Sequence, residues 1–123
     1  MKSSSGNARA DLTKLPKAVT TMTETAGRKD DADKIRMELL PPEFLTATAT
    51  VLTFGAKKYS DRNWEQGMKW SRVFGALMRH MWDWWRGVKY DSETGYSHLW
   101  HAACCLAFLI AYEERQLGED DRP

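Results

Sequence analysis

The chain has 123 residues, with 18 basic side chains set against 17 acidic ones and a formal net charge of +1. That length supports one domain, and the near balance of charge excludes a protein that coats a nucleic-acid polymer by bulk attraction. Two adjacent cysteines, Cys104 and Cys105, make no disulfide framework, and no apolar run is long enough to cross a bilayer.

The opening stretch, "MKSSSGNARADLTKLPK", lacks the apolar core of a secretory signal. With its cysteines read as reduced core fillers, the protein is expected to be cytoplasmic. Residues 1–30 are rich in Ser, Thr, Lys, Asp and Gly. Such a segment buries too little apolar surface to offset its ordering entropy, so it is expected to be flexible. Residues 31–118 are expected to form the helical domain, and "EDDRP", residues 119–123, a solvated tail. Lys34, Arg36 and Glu38 lie just before the first helix. They read as a charged linker or as a segment able to close over a ligand.

The first helix starts in "LLPPEFLTATATVLTFGAKKY". Pro42 suits a first-turn position and Glu43 complements the positive helix end. Leu45, Ala49, Leu52, Ala56 and Tyr59 recur at 4,3,4,3 spacing and predict one apolar stripe. "SDRNWEQGMKW" follows as a loop. The second helix is "SRVFGALMRHMWDWWRGV", with Ser71 as candidate N-cap and Leu77, Met81, Trp84 and Val88 as its stripe. Arg72, Arg79 and Arg86 recur every seven residues on another face. After a polar turn, "KYDSETGY", the third helix runs through "SHLWHAACCLAFLIAYEERQLG", capped by Ser97 and ended by Gly118. Its apolar run, interrupted by His101 alone, predicts a helix surrounded by others.

No convincing strand appears. The expected fold is all-α, a small bundle of about three main helices. Burying a large apolar side chain is worth roughly 1.5–3 kcal/mol, so exposure of the four tryptophans between Arg79 and His101 is not expected. A second copy of the chain is predicted to complete the bundle, as a homo-oligomer.

The same stretch, Arg79 to His101, holds all three histidines. His80 and Asp83 are spaced i,i+3, and so are His98 and His101. Helix bundles build metal sites from inward carboxylates and histidines at this spacing. The ordinary alternative is a set of hydrogen-bonded core histidines, with Asp83 a surface partner for Arg79 or Arg86. As a metal set, His80, Asp83, His98 and His101 suit Mn²⁺, Zn²⁺ or Fe²⁺ better than oxygen-seeking Mg²⁺.

A second constellation is "FGAKKYSDRNWEQG". Lys57, Lys58 and Arg62 supply charge, Asn63 donates and accepts, and Tyr59 and Trp64 supply flat faces. Phosphates want cations and N–H donors, and a base wants an aromatic surface. Together with Arg72 these residues describe a mononucleotide pocket, or else a solvated basic loop with one aromatic anchor.

Four blocks, "LLPPEFL", "LTFGAKKYSDRNWEQG", "WSRVFGALMRHMWDWWRG" and "DSETGYSHLWHAACCLAFL", together resemble the phage and prophage family of dATP/dGTP diphosphohydrolases, N-terminal domain. The likeness spans roughly Asp33 to Glu113. It implies a small helical phage protein of the host cytoplasm that takes a purine nucleotide as partner and splits the triphosphate into monophosphate and pyrophosphate. A more distant likeness is to the all-α MazG-like pyrophosphohydrolases. Their pattern is E-x-x-E, a spacer, then E-x-x-D; here it is H-x-x-D, fourteen residues, then H-x-x-H. Three of the four acids are therefore absent. On this reading Asp83, His80 and Arg79 are catalytic, and Asp83 with the three histidines holds a divalent ion, Mg²⁺ or Mn²⁺. Glu43 or Asp91 could add a carboxylate. The alternatives are a non-catalytic protein that sequesters a nucleotide, including a host defence signal, and a helical oligomerisation module with a polar seam.

Overall fold

The computed structural model describes residues 27, 28, 30 and 32–123. The expected flexible segment, residues 1–30, lies almost wholly outside the described residues. Residues 41–123 belong to one unit and residues 3–40 to another. Among the described residues of the second unit, Met37–Leu39 makes a single 3₁₀ turn. Arg36 pairs with Glu38 at 2.9 Å there, an exposed contact two residues apart.

In the unit from Pro41 onward the described elements are three helices: α1, Pro42–Lys58; α2, Trp70–Trp85; and α3, His98–Arg115. Isolated bridges join Lys69 with Glu119 and Tyr90 with Ser97, and no strand forms among the described residues, so the fold is all-α. None of the described helices is long and apolar enough to cross a membrane. α3 lies in the middle, packing on α2 more extensively than on α1.

α1 begins where expected, with Pro at its first position, Glu43 in the first turn and Lys57 and Lys58 in the last. Its buried residues are Ala47 and Val51, and Phe54, one turn further, meets Tyr96 edge-on at 6.4 Å. That is a different register from the predicted stripe. Leu45 and Tyr59 are more than half exposed. Both registers run at 4,3 spacing, and periodicity alone does not choose between them; the small Ala47 lets α3 come close.

α2 is not capped by Ser71. Its N-cap is Lys69, with no side-chain cap bond. The Ser71 backbone N–H and hydroxyl both donate to Asp121, at 2.9 and 2.5 Å. The residues expected to be a solvated tail lie along this helix start. The Trp70 backbone N–H donates to the Glu119 carbonyl (2.9 Å), its indole N–H donates to the Leu117 carbonyl (2.9 Å), and Arg122 lies over its ring at 5.0 Å. The crossing requires glycine on both sides. Gly67 and Gly118 have φ of +94° and +79°, and a Cβ on Gly118 would collide with the Met68 backbone. α3 ends earlier than Gly118, at Gln116, whose left-handed backbone closes the helix with a bond to the Tyr112 carbonyl. Its start matches the expectation: the Ser97 hydroxyl accepts from the Leu99 N–H at 3.2 Å.

The core is small: Ala47, Val51, Val73, Leu77, Ala102, Cys104 and Tyr112. The tryptophans are not enclosed within the single chain; Trp82 is 59% and Trp85 72% exposed. α3 is likewise not covered all round, since Leu106 and Ile110 are exposed. On α2, Val73 and Leu77 are buried, while Phe74, Met78, Met81, Trp82, Trp84 and Trp85 are exposed.

Candidate metal centre

His80 projects from α2, and His98 and His101 from the first turn of α3. The connection between them brings a carboxylate to the same place. Residues 89–98 fold back on themselves: the Asp91 N–H donates to the Tyr96 carbonyl and the His98 N–H to the Lys89 carbonyl, both at 2.8 Å. Asp91 then accepts on one oxygen, Oδ2, from the backbone N–H of Glu93 (3.1 Å), the backbone N–H of Thr94 (3.0 Å) and the Thr94 hydroxyl (3.1 Å). An aspartate holding its own turn in this way is a common loop device. Here it also fixes where the carboxylate sits.

His80 and His98 meet Nδ1 to Nδ1 at 2.8 Å, so in the neutral state one ring donates and the other accepts. His80 and His101 stack at 4.6 Å, nearly parallel. His101 Nε2 lies 2.7 Å from the Thr94 hydroxyl and 3.7 Å from Asp91 Oδ2. With the Thr94 proton given to the carboxylate, His101 donates from Nε2. His98 is 5% exposed, and its Nε2 lies 3.9 Å from Asp83 Oδ2. Tyr96 stacks on Trp100 (5.5 Å) and tilts against His101 (6.2 Å), walling one side.

Charge follows from this packing. Burial lowers the pKa of His80, helped by the nearby His101. Burial also lowers that of His101, with Asp91 opposing. Burial would raise the Asp91 carboxyl, but the Thr94 hydrogen bonds and the neighbouring His101 outweigh it and hold the pKa low. His80 and His101 therefore favour the neutral imidazole and Asp91 the ionised carboxylate, the protonation states that metal binding requires. Ligand atoms of His80, Asp91 and His98 all lie within 4.8 Å of one another. His80, Asp91 and His98 would be the residues to hold a divalent ion, which takes donors about 2.0–2.2 Å away. The donor set of two imidazoles and a carboxylate fits a divalent metal. The thiols do not belong to it: burial pushes Cys104 up to about 12 and Cys105 to about 11.

These shifts give a testable pH dependence. Near pH 6.5 an unfolded histidine takes up a proton that the folded His80 and His101 resist. The unfolded chain then binds more protons, and stability falls as pH falls. Chelator-treated protein should melt at lower temperature at pH 5 than at pH 7, and His101→Gln should flatten that slope. Calorimetric melts across the range check it.

Of the residues expected to form the metal set, the three histidines converge. Asp83 turns toward Arg86, whose guanidinium donates to it, and this bond holds the Asp83 pKa low. Asp91, which the sequence offered beside Glu43 as an added carboxylate, is the one whose oxygen lies with the His80 and His98 nitrogens. The clue in the sequence is the aspartate three residues before Thr94 in a turn joining two histidine-bearing helices. Arg79 and Arg72 are exposed on α2. The basic loop is less open than its composition suggests. Lys58 pairs with Glu93 at 2.6 Å and lies near the Tyr59 ring. Arg62, in left-handed backbone before the 3₁₀ turn Asn63–Gln66, lies 3.7 Å from Glu65. Asn63 begins that turn. Trp64 stacks on Phe108 at 5.0 Å, with Arg115 over its ring at 5.4 Å. Lys57 stays exposed. An open cleft of about 390 Å³, lined by Met78, Arg79, Trp82, Asp83 and Arg86, runs along α2.

Comparison with known proteins places these features in context. Residues 24–122 match the family model described as dATP/dGTP diphosphohydrolase, N-terminal. The chain is also 36% identical over 96 residues to the dATP/dGTP diphosphohydrolase of Salmonella phage PMBT28. That alignment covers 78% of this chain and 33% of the relative, so the chain spans about a third of that protein's length. No solved structure is significantly similar. With the family model matching most of its length, the chain belongs to the dATP/dGTP diphosphohydrolase N-terminal family.

Proposed function

We propose that the chain binds a purine deoxynucleoside triphosphate and, with a divalent ion, splits it into the monophosphate and pyrophosphate. The observation that carries this reading is the convergence of His80, Asp91 and His98 from α2, the turn and α3. When bound, the ion would lower the pKa of a coordinated water and so supply the nucleophile for the α-phosphate. The protein's own groups set the stage. Thr94 holds the Asp91 carboxylate and the His101 ring in place. Asp83, tied to Arg86, faces His98 Nε2 and is suited to orient that ring. Arg79 supplies positive charge for the phosphates, with Lys57, Arg62 and Arg72 further out. Mn²⁺ suits two nitrogen donors better than Mg²⁺. The exposed apolar residues of α1 and α3, such as Leu45, Leu106 and Ile110, support self-association. Deoxynucleoside triphosphates are cytoplasmic metabolites, and we place the activity there.

The assay is release of pyrophosphate from dATP and dGTP with Mg²⁺, Mn²⁺ or Co²⁺, abolished by chelation. No turnover with any of these ions overturns the hydrolase reading. The lone carboxylate among the three ligand residues favours a second reading, a protein that sequesters the nucleotide. Recovery of intact dATP from the denatured complex would identify it.

A further inference from the structure

The hydrolase reading leaves open where the nucleotide lies, and the basic loop from Lys57 to Trp64 is the seat that its composition suggests. Two of its groups are engaged, Lys58 by Glu93 and Trp64 by Phe108 and Arg115, while Lys57 and Tyr59 stay exposed. The outer side of α2 is different. We propose that the cleft lined by Met78, Arg79, Trp82, Asp83 and Arg86 seats the nucleotide, its base against Trp82 and Met78 and its phosphates on Arg79.

Four observations support this, all within the hydrolase reading. The cleft, of about 390 Å³, is open and shallow, so it would hold a nucleotide along one face rather than enclose it. Trp82 is 59% exposed and has no ring partner among the described residues, so its face is open to a base. Every base offers a π-face to such an indole. Arg79 has no ion pair among the described residues, leaving its planar donors for phosphate oxygens. Finally, Asp83 belongs to both places. It lines the cleft, and its Oδ2 lies 3.9 Å from His98 Nε2 at the metal centre. A polyphosphate on Arg79 is thus next to the reacting centre rather than remote from it. Arg86, bonded to Asp83, offsets the one negative charge that would repel it.

The test measures binding of α,β-imido-dATP, which resists cleavage, in the presence of Mn²⁺ by titration calorimetry. Trp82→Ala and Arg79→Gln are each expected to weaken it at least tenfold. Inorganic tripolyphosphate, which has no base, should lose affinity in Arg79→Gln and keep it in Trp82→Ala. Both side chains are exposed, and melts of each variant confirm the fold; Trp82→Leu replaces the alanine variant if that one fails to fold. Affinity within twofold of the parent in both variants overturns the proposal, while dATP turnover by the parent keeps the hydrolase reading intact. Loss of affinity in Lys57→Gln alone would also overturn it, returning the nucleotide to the basic loop. A parent that neither binds the analogue nor releases pyrophosphate sinks both.

Discussion

Replacing His98 with glutamine should lower Mn²⁺ affinity and pyrophosphate release from dATP by more than about 100-fold, since even supporting partners of a metal ligand are worth 10- to 100-fold. His98 links the helix, the turn and both neighbouring polar groups of the site. His98 is buried at the head of α3. One ring nitrogen meets His80 at 2.8 Å and the other lies 3.9 Å from Asp83. Its backbone N–H, bonded to Lys89, closes the turn that carries Asp91. Glutamine keeps most of the length and one hydrogen bond, so the stability cost should stay near 1–2 kcal/mol. The backbone bond is unchanged, and Asp91 stays where it is. A variant that folds but no longer holds the ion is therefore expected. Titration calorimetry with Mn²⁺ and the pyrophosphate assay measure the two losses separately. Cys105→Ser serves as the comparison, because a thiol held at about 11 is no ligand at neutral pH. Unchanged Mn²⁺ affinity in His98→Gln would remove the metal centre from His98.

Why the sequence singled out the histidines but left the carboxylate open between Asp83, Glu43 and Asp91 has a simple physical source. Spacing on a helix determines which side chains share a face, and His80, His98 and His101 needed only that. Asp83 shares the face too, but Arg86 one turn later competes for it, and a half-buried carboxylate takes the nearest guanidinium. Asp91 sits in a turn, where no period applies; its position follows from hydrogen bonds to Thr94 and Glu93 that form only once the turn closes. The same distinction runs through the fold. The start of α1 at Pro42 and the Ser97 cap are local chemistry, visible in a few residues. The α1 register is not local, because Leu45–Ala49–Leu52 and Ala47–Val51–Phe54 have equal spacing and only α3 selects between them. Ser71 looks like a cap until Asp121, 50 residues on, takes its hydroxyl. Charged residues such as those of "EDDRP" read as solvated, yet backbone pairing between Lys69 and Glu119 holds them beside α2.

Trp64 shows where composition misleads most, and its partner Tyr112 carries the largest expected effect on stability. Among the described residues Tyr112 is the one large side chain with no exposure. Its hydroxyl donates to the Trp64 carbonyl at 2.6 Å, and its ring lies 6.0 Å from the Trp64 indole, which in turn stacks on Phe108. Its own carbonyl accepts from the Gln116 and Leu117 N–H groups at the end of α3. The residue therefore fastens the loop after α1 to the last turns of α3. Truncating a buried aromatic to alanine costs about 3–5 kcal/mol, a large part of the 5–15 kcal/mol that holds a typical domain together. For a chain of this size that corresponds to a drop in melting temperature of more than about 10 °C. Tyr112→Phe keeps the ring and loses only the bond to a carbonyl, so about 1–2 kcal/mol is expected. If the two aromatics act as one fastening, Trp64→Ala and Tyr112→Ala together should cost less than the sum of their separate effects. Full additivity, or a Tyr112→Ala melt within 3 °C of the parent (roughly the scatter of a neutral surface change), would show that the loop is held by something else. A Trp64 engaged in binding rather than packing would instead leave the melt of Trp64→Ala unchanged and lower nucleotide affinity, so this set of melts also separates the two roles of the indole.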